Sequence, residues 1–213
     1  MVWNIPSRLI IASSLALLGA TNAAFAEPLG PSSGFLPTYA GVQNGDLDVA
    51  GGEVFFDGGS FEFDATFNDA VGTTLGVFYV WGVDRGSNAA PFGAFRPGVL
   101  FDAVVVSAPS LNLNFVVDLA TNVMTPFTDV VANGNVLTLT VPASLLPSLG
   151  FLPKDYLVNL WPRLGFDPSD NTQIAEFAPS NSDAGITGAP EPATLALFGA
   201  GVIAFGRRFR KQR

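Results

Sequence analysis

The stretch Ser60-Phe61-Glu62-Phe63-Asp64-Ala65-Thr66-Phe67-Asn68 alternates without a break. Phe61, Phe63, Ala65 and Phe67 fall on one side of an extended chain, with Glu62, Asp64, Thr66 and Asn68 on the other. A helix would scatter these residues around its axis; a strand puts every second side chain on one face. The segment is therefore a strand with one face in a core and one in water. The same period recurs at Leu111, Leu113, Phe115 and Val117, and at Leu137, Leu139 and Val141 against Thr138 and Thr140. Residues 74–83 and 99–107 read as further strands, and 155–161 closes the set. Gly76 and Gly82 mark bulges or close approaches in the first of these.

Turn chemistry supports the same reading. Asn44-Gly45, Asp57-Gly58-Gly59 and Asn133-Gly134 stand between apolar runs, where residues tolerant of positive φ are needed. One short helical turn is expected at 143–149, opened by Pro142 and broken by Pro147. Short strands with turns about 8–12 residues apart predict an all-β fold, an antiparallel β-sandwich of jelly-roll or immunoglobulin-like type. The sandwich domain is placed at 27–178. Residues 179–188 are small and polar and read as a flexible linker.

The chain has 213 residues, of which 48% are hydrophobic and 13% charged, and it has no cysteine and no histidine. Those absences exclude a disulfide framework, Cys or His metal sites and Cys–His or Ser–His catalysis. Charge is segregated. Residues 27–188 hold seventeen Asp and Glu against four basic residues, Arg85, Arg96, Lys154 and Arg163, a net −13 inside an overall −8. Such an acidic domain is not expected to bind nucleic acid.

Both ends read as processing signals. Arg8 precedes an apolar run at 9–20, and Ala24-Phe25-Ala26 supplies the small residues a signal peptidase needs, so 1–26 is a signal peptide with a short helix. The alternative, a retained anchor, is disfavoured because twelve residues span about 18 Å of a ~30 Å hydrocarbon core. At the other end Pro190-Glu191-Pro192 precedes an uncharged apolar segment at 193–206. The basic tail of Arg207, Arg208, Arg210, Lys211 and Arg213 follows. An apolar helix followed by basic residues halts export and leaves the tail cytoplasmic. It would be a short transmembrane helix of about 21 Å, a marginal anchor for transient insertion in the inner membrane.

These three parts, in this order at 189–213, resemble the PEP-CTERM sorting signal of Gram-negative bacteria. The resemblance implies recognition by an exosortase, removal of the tail and delivery to the cell surface or extracellular matrix. A plain C-terminal anchor is the alternative.

Candidate chemistry in the middle region rests on carboxylates and aromatics. Glu62 and Asp64 share a strand face about 7 Å apart, a spacing for paired catalytic carboxyls or an oxygen-ligated cation. Asn44, Asp46 and Asp48 form a candidate calcium set, with Asp46 and Asp48 as its ligands, and Asp167, Asp170 and Asn171 form another. No other cofactor is expected. Trp81 and Trp161, with Tyr79 and Tyr156, are candidates for stacking on sugar rings, although strand aromatics more often fill cores. The segments at 78–84, 137–146 and 159–163, with 171–179 beyond, resemble strands of DOMON-like carbohydrate-binding sandwiches. That resemblance implies a glycan ligand such as exopolysaccharide. The expected protein is an exported, non-enzymatic glycan- or matrix-binding module. A carboxylate-dependent glycosidase or lyase and a purely structural biofilm adhesin are the rival readings.

Overall fold

The computed structural model describes residues 29–188. The signal helix, the cleavage residues Ala24 and Ala26, the Pro190-Glu191-Pro192 motif, the apolar helix and the basic tail lie outside the described residues. Within them the chain is all-β. In chain order the strands are β1 (Val49–Phe56), β2 (Ser60–Phe67), β3 (Val77–Asp84), β4 (Ala103–Ala108), β5 (Leu113–Asp118) and β6 (Val123–Pro126). They continue as β7 (Val130–Asn133), β8 (Val136–Pro142), β9 (Leu157–Leu164), β10 (Ala184–Gly185) and β11 (Thr187–Gly188). One sheet has the order β11-β1-β2-β8-β7 and the other β10-β9-β3-β4-β5-β6. All pairings are antiparallel except that of β11 with β1.

The inner faces interlock through aromatic rings. Phe61, Phe63 and Phe67 of β2 meet Tyr156, Trp81 and Tyr79 at centroid distances of 5.5, 5.5 and 4.7 Å. The expected alternation of β2 is thus the alternation of core and solvent. Each large ring buried in this way contributes roughly 1.5–3 kcal/mol by removal from water. Strand glycines make room for the indoles. A Cβ on Gly52 would sit 3.2 Å from the Trp81 ring, and one on Gly82 would sit 2.4 Å from that of Trp161.

The structure departs from expectation in four places. The 111–117 alternation does not face the main core. Leu111 lies in a 3-10 turn, and the register Phe115↔Val106 and Val116↔Val105 sends Leu113, Phe115 and Val117 to the outer side of the second sheet. Strand β4 starts at Ala103, not at 99, and Val99 and Phe101 are buried in the preceding loop. Gly76 is no bulge: with φ +81 it closes the turn before β3. Finally, 179–188 is not a free linker. Ala184 and Gly185 pair with β9, Thr187 and Gly188 pair with β1, and Ile186 between them is buried. The segment crosses from one sheet to the other and closes that side of the sandwich. A small, polar composition hid a structural role carried by backbone pairing and one apolar side chain.

Candidate functional site

The outer face of the first sheet is the acidic one. Strand pairing aligns Glu53, Asp64 and Thr138 in one row and Phe55, Glu62 and Thr140 in the next. The Thr138 hydroxyl donates to Asp64 Oδ1 at 2.5 Å. Partial burial, together with neighbouring Asp64, Asp57 and Asp129, raises the Glu62 carboxyl above its ordinary range. The pair therefore shares a face as expected. The face is an open sheet surface, and among the described residues no three acidic side chains come together as a metal cage.

The other candidates have internal duties. Trp81 and Trp161 are 0% and 2% exposed, so neither offers a face for a sugar ring, and the glycan-stacking assignment is corrected. Trp81 lies between the sheets. Trp161 lies under a loop lid on the outer side of the second sheet, ringed by Phe92, Phe101 and Phe177 at 4.8–5.9 Å. Tyr79 and Tyr156 are likewise buried. Asp46 is buried too, and its Oδ2 accepts from the Tyr79 hydroxyl and the Thr74 N–H, both at 3.0 Å. It is an anchor for the 69–74 loop. Asp167 and Asp170 each cap a turn, accepting from Ser169 and Thr172 respectively. Those bonds hold both carboxyls below the ordinary range. Arg163 gathers their backbone carbonyls from within the fold.

Three features were not found in the sequence. The first is a buried ion cluster at the β3 end of the sandwich. Arg85 Nε donates to Asp102 at 2.5 Å and Nη2 donates to Asp118 at 2.7 Å. Burial opposes the Arg85 charge, but the two carboxylates outweigh it and hold the guanidinium charged. The second is Glu176, fully buried, which accepts from the Ser32 hydroxyl and the Val49 N–H. Burial pushes its carboxyl up to about 7 against the pull of those two bonds. For Glu176 the available signal was a lone charged residue inside the apolar run 174–178. The third is a groove of about 440 Å³ beside β5 and β6, lined by Asn112, Leu113, Asn114, Phe115, Met124, Pro126, Phe127 and Thr128. Its lining has amides, a hydroxyl and apolar groups, and no ionisable side chain.

The described residues define the class of the domain, a two-sheet, mostly antiparallel β-sandwich. Beyond them, residues 189–211 match the family model described as the PEP-CTERM protein-sorting motif. The chain carries the sorting signal of an exosortase substrate, processed by an exosortase. No curated protein and no solved structure matches the chain, so the DOMON-like resemblance finds no counterpart there.

Proposed function

We propose that the mature domain is a non-enzymatic module of the cell surface or extracellular matrix that takes uncharged segments of exopolysaccharide in the β5–β6 groove. The observation that carries this reading is the groove itself. In a domain of net −13, its lining is free of carboxylates, so it suits a neutral polymer over a cation or an anionic chain. Amides at Asn112 and Asn114 supply donors and acceptors for hydroxyls, and Leu113, Met124 and Phe115 supply the apolar floor typical of ligand clefts. Pull-down of exopolysaccharide by protein released from cells tests the idea. Retention by the wild type and its loss in Leu113→Glu, which puts a charge at a half-exposed rim position, are expected. Equal retention by both would overturn the assignment.

One observation favours a second reading. The raised Glu62 carboxyl beside an Asp is the arrangement a polysaccharide-active enzyme would use. Glu62 and Asp64 lie on the open face of the first sheet, and neither lines the groove. Depolymerisation that disappears in Glu62→Gln would establish this alternative.

A further inference from the structure

The described chain ends at Gly188 paired with Phe56, the last residue of β1. Because β11 is parallel to β1, the chain leaves the sandwich past the Asp57–Gly59 turn. Only residues 189–192 separate Gly188 from the uncharged apolar segment that starts at Ala193. Five Cα–Cα steps reach at most about 18 Å, and the headgroup layer takes about 5–8 Å of that. The N-terminal side agrees. Ser32 bonds beside Val49 and Leu29 beside Gly52, so the chain read backwards also runs toward the Phe56 end. Both terminal apolar segments therefore attach to one end of the sandwich, and a tethered domain presents that end to the bilayer.

That end carries an apolar loop. Leu149 and Leu152 are 46% and 61% exposed, and Phe151 between them is half-buried. The loop is not loose. The Arg85 carbonyl accepts from the N–H groups of both Leu149 and Phe151, and Arg85 is itself fixed by Asp102 and Asp118. The Leu152 carbonyl accepts from Asp155 N–H, and four residues further on the Tyr156 carbonyl accepts from Ile186 N–H. The apolar tip and the chain exit are thus neighbours across a few backbone bonds. Of the charges at this end, Lys154 and Asp155 lie 4.0 Å apart and offset each other, while the Asp57 carboxylate of the exit turn accepts from the Gly59 and Ser60 N–H groups.

We propose that the 149–152 loop is a membrane-docking tip. While the tail is inserted, Leu149 and Leu152 dip into the headgroup–acyl boundary of the periplasmic leaflet, as apolar groups at interfaces do to a depth of about 5–10 Å. The docking holds the domain in one orientation over the sorting motif, and cutting of the tail releases it. The attraction is apolar, so salt does not weaken it. The proposal rests on insertion of 193–206.

The test uses the natural absence of cysteine. Full-length protein carrying Leu152→Cys, Leu75→Cys or Phe198→Cys is labelled with an environment-sensitive fluorophore. It is then reconstituted into phosphatidylethanolamine/phosphatidylglycerol vesicles containing a doxyl-lipid quencher. Leu75 is the control because it is 80% exposed, more than Leu152, at the opposite end of the sandwich. The labels at 198 and 152 are expected to be blue-shifted and quenched, at low and high salt alike, and the label at 75 to be neither. Quenching at 198 with 152 as free as 75 would overturn the docking tip and leave the anchor standing. Equal quenching at 75 and 152 would overturn an oriented contact. An unquenched label at 198 would remove the anchor and the docking together.

Discussion

The two sheets share one core but treat their outer faces in opposite ways. On the first sheet, β2 and β8 turn Glu62, Asp64, Thr138 and Thr140 outward, and that face is left to water. On the second, every residue of β3 and β4 is buried, on both faces. Its outer side is roofed by the loops around 85–102 and 165–178, which bring Phe92, Phe101 and Phe177 down on Trp161 and Phe166 onto Phe78 and Phe115. The difference separates two ways of finishing a sheet. A charged face needs no cover, whereas an apolar face needs long loops that must themselves be anchored. Three of the four basic residues between 27 and 188 serve those loops. Arg85 and Arg163 hold backbone carbonyls and carboxylates, and Arg96 lies 5.5 Å from the centre of the Phe177 ring.

The largest expected effect comes from breaking the roof. Trp161→Ala removes the ring that Phe92, Phe101 and Phe177 enclose and should cost about 3–5 kcal/mol. Thr140→Ala on the other outer face should stay within about 0.5 kcal/mol. Urea midpoints of the two variants read the contrast directly. Similar losses would mean that the two faces are not different in kind.

This contrast also accounts for what the sequence could and could not tell. The strand β2 was legible because one face is wet, so the period of two appears as alternating Phe and acid. The same logic misassigned Leu113, Phe115 and Val117. Alternation says that faces differ but not which face meets the main core, and here the roofed side takes the larger apolar residues. Strands β3 and β4 carry almost no alternation because both their faces are covered, and β4 blurred into the loop that covers it. The sorting motif was plain because its chemistry is local: a triplet, an apolar run and basic residues in order. The Arg85 cluster and the Glu176 clasp join residues distant in sequence, Ser32 with Glu176 for one. Single-sequence spacing carries no trace of such pairs. For Trp81 and Trp161 the residue type matched two roles, and only burial separated them.

A second, intermediate effect lies at the seam between the sheets. Glu176 sits on the segment that pairs beside β9, while its partners Ser32 and Val49 belong to the first sheet's edge. Its folded carboxyl titrates near 7, above the ordinary 4.5. Between those values the folded state binds the proton and the unfolded chain does not, so stability falls as pH rises through this window. The contribution is fully present below the unfolded value and lost as pH passes 7. The slope from this one group is about 1 kcal/mol per pH unit. Asp183, pushed up to about 7 by burial and by Asp84, adds in the same direction. Urea midpoints measured from pH 5 to 8 should decline, and Glu176→Gln should flatten the decline while leaving the Asp183 part. An unchanged slope in the variant would show that the seam carboxylate is already ionised throughout.

The smallest effect tests the wet face. Glu62 feels Asp64, Asp57 and Asp129 as like charges across an open surface, and these with partial burial raise its carboxyl. Removing its charge in Glu62→Gln should therefore stabilise the fold slightly, by at most about 0.5 kcal/mol as surface changes do. The gain should shrink as salt shortens the screening length from about 10 Å at 0.1 M to about 3 Å at 1 M. It should also vanish at pH values low enough to protonate Glu62 in the wild type, since both chains are then neutral there. A stabilisation that persists at high salt would have to come from packing or hydrogen bonding. The first sheet's outer face would then be a partly built surface like its counterpart, and the division between a wet face and a roofed one would narrow to a difference of degree.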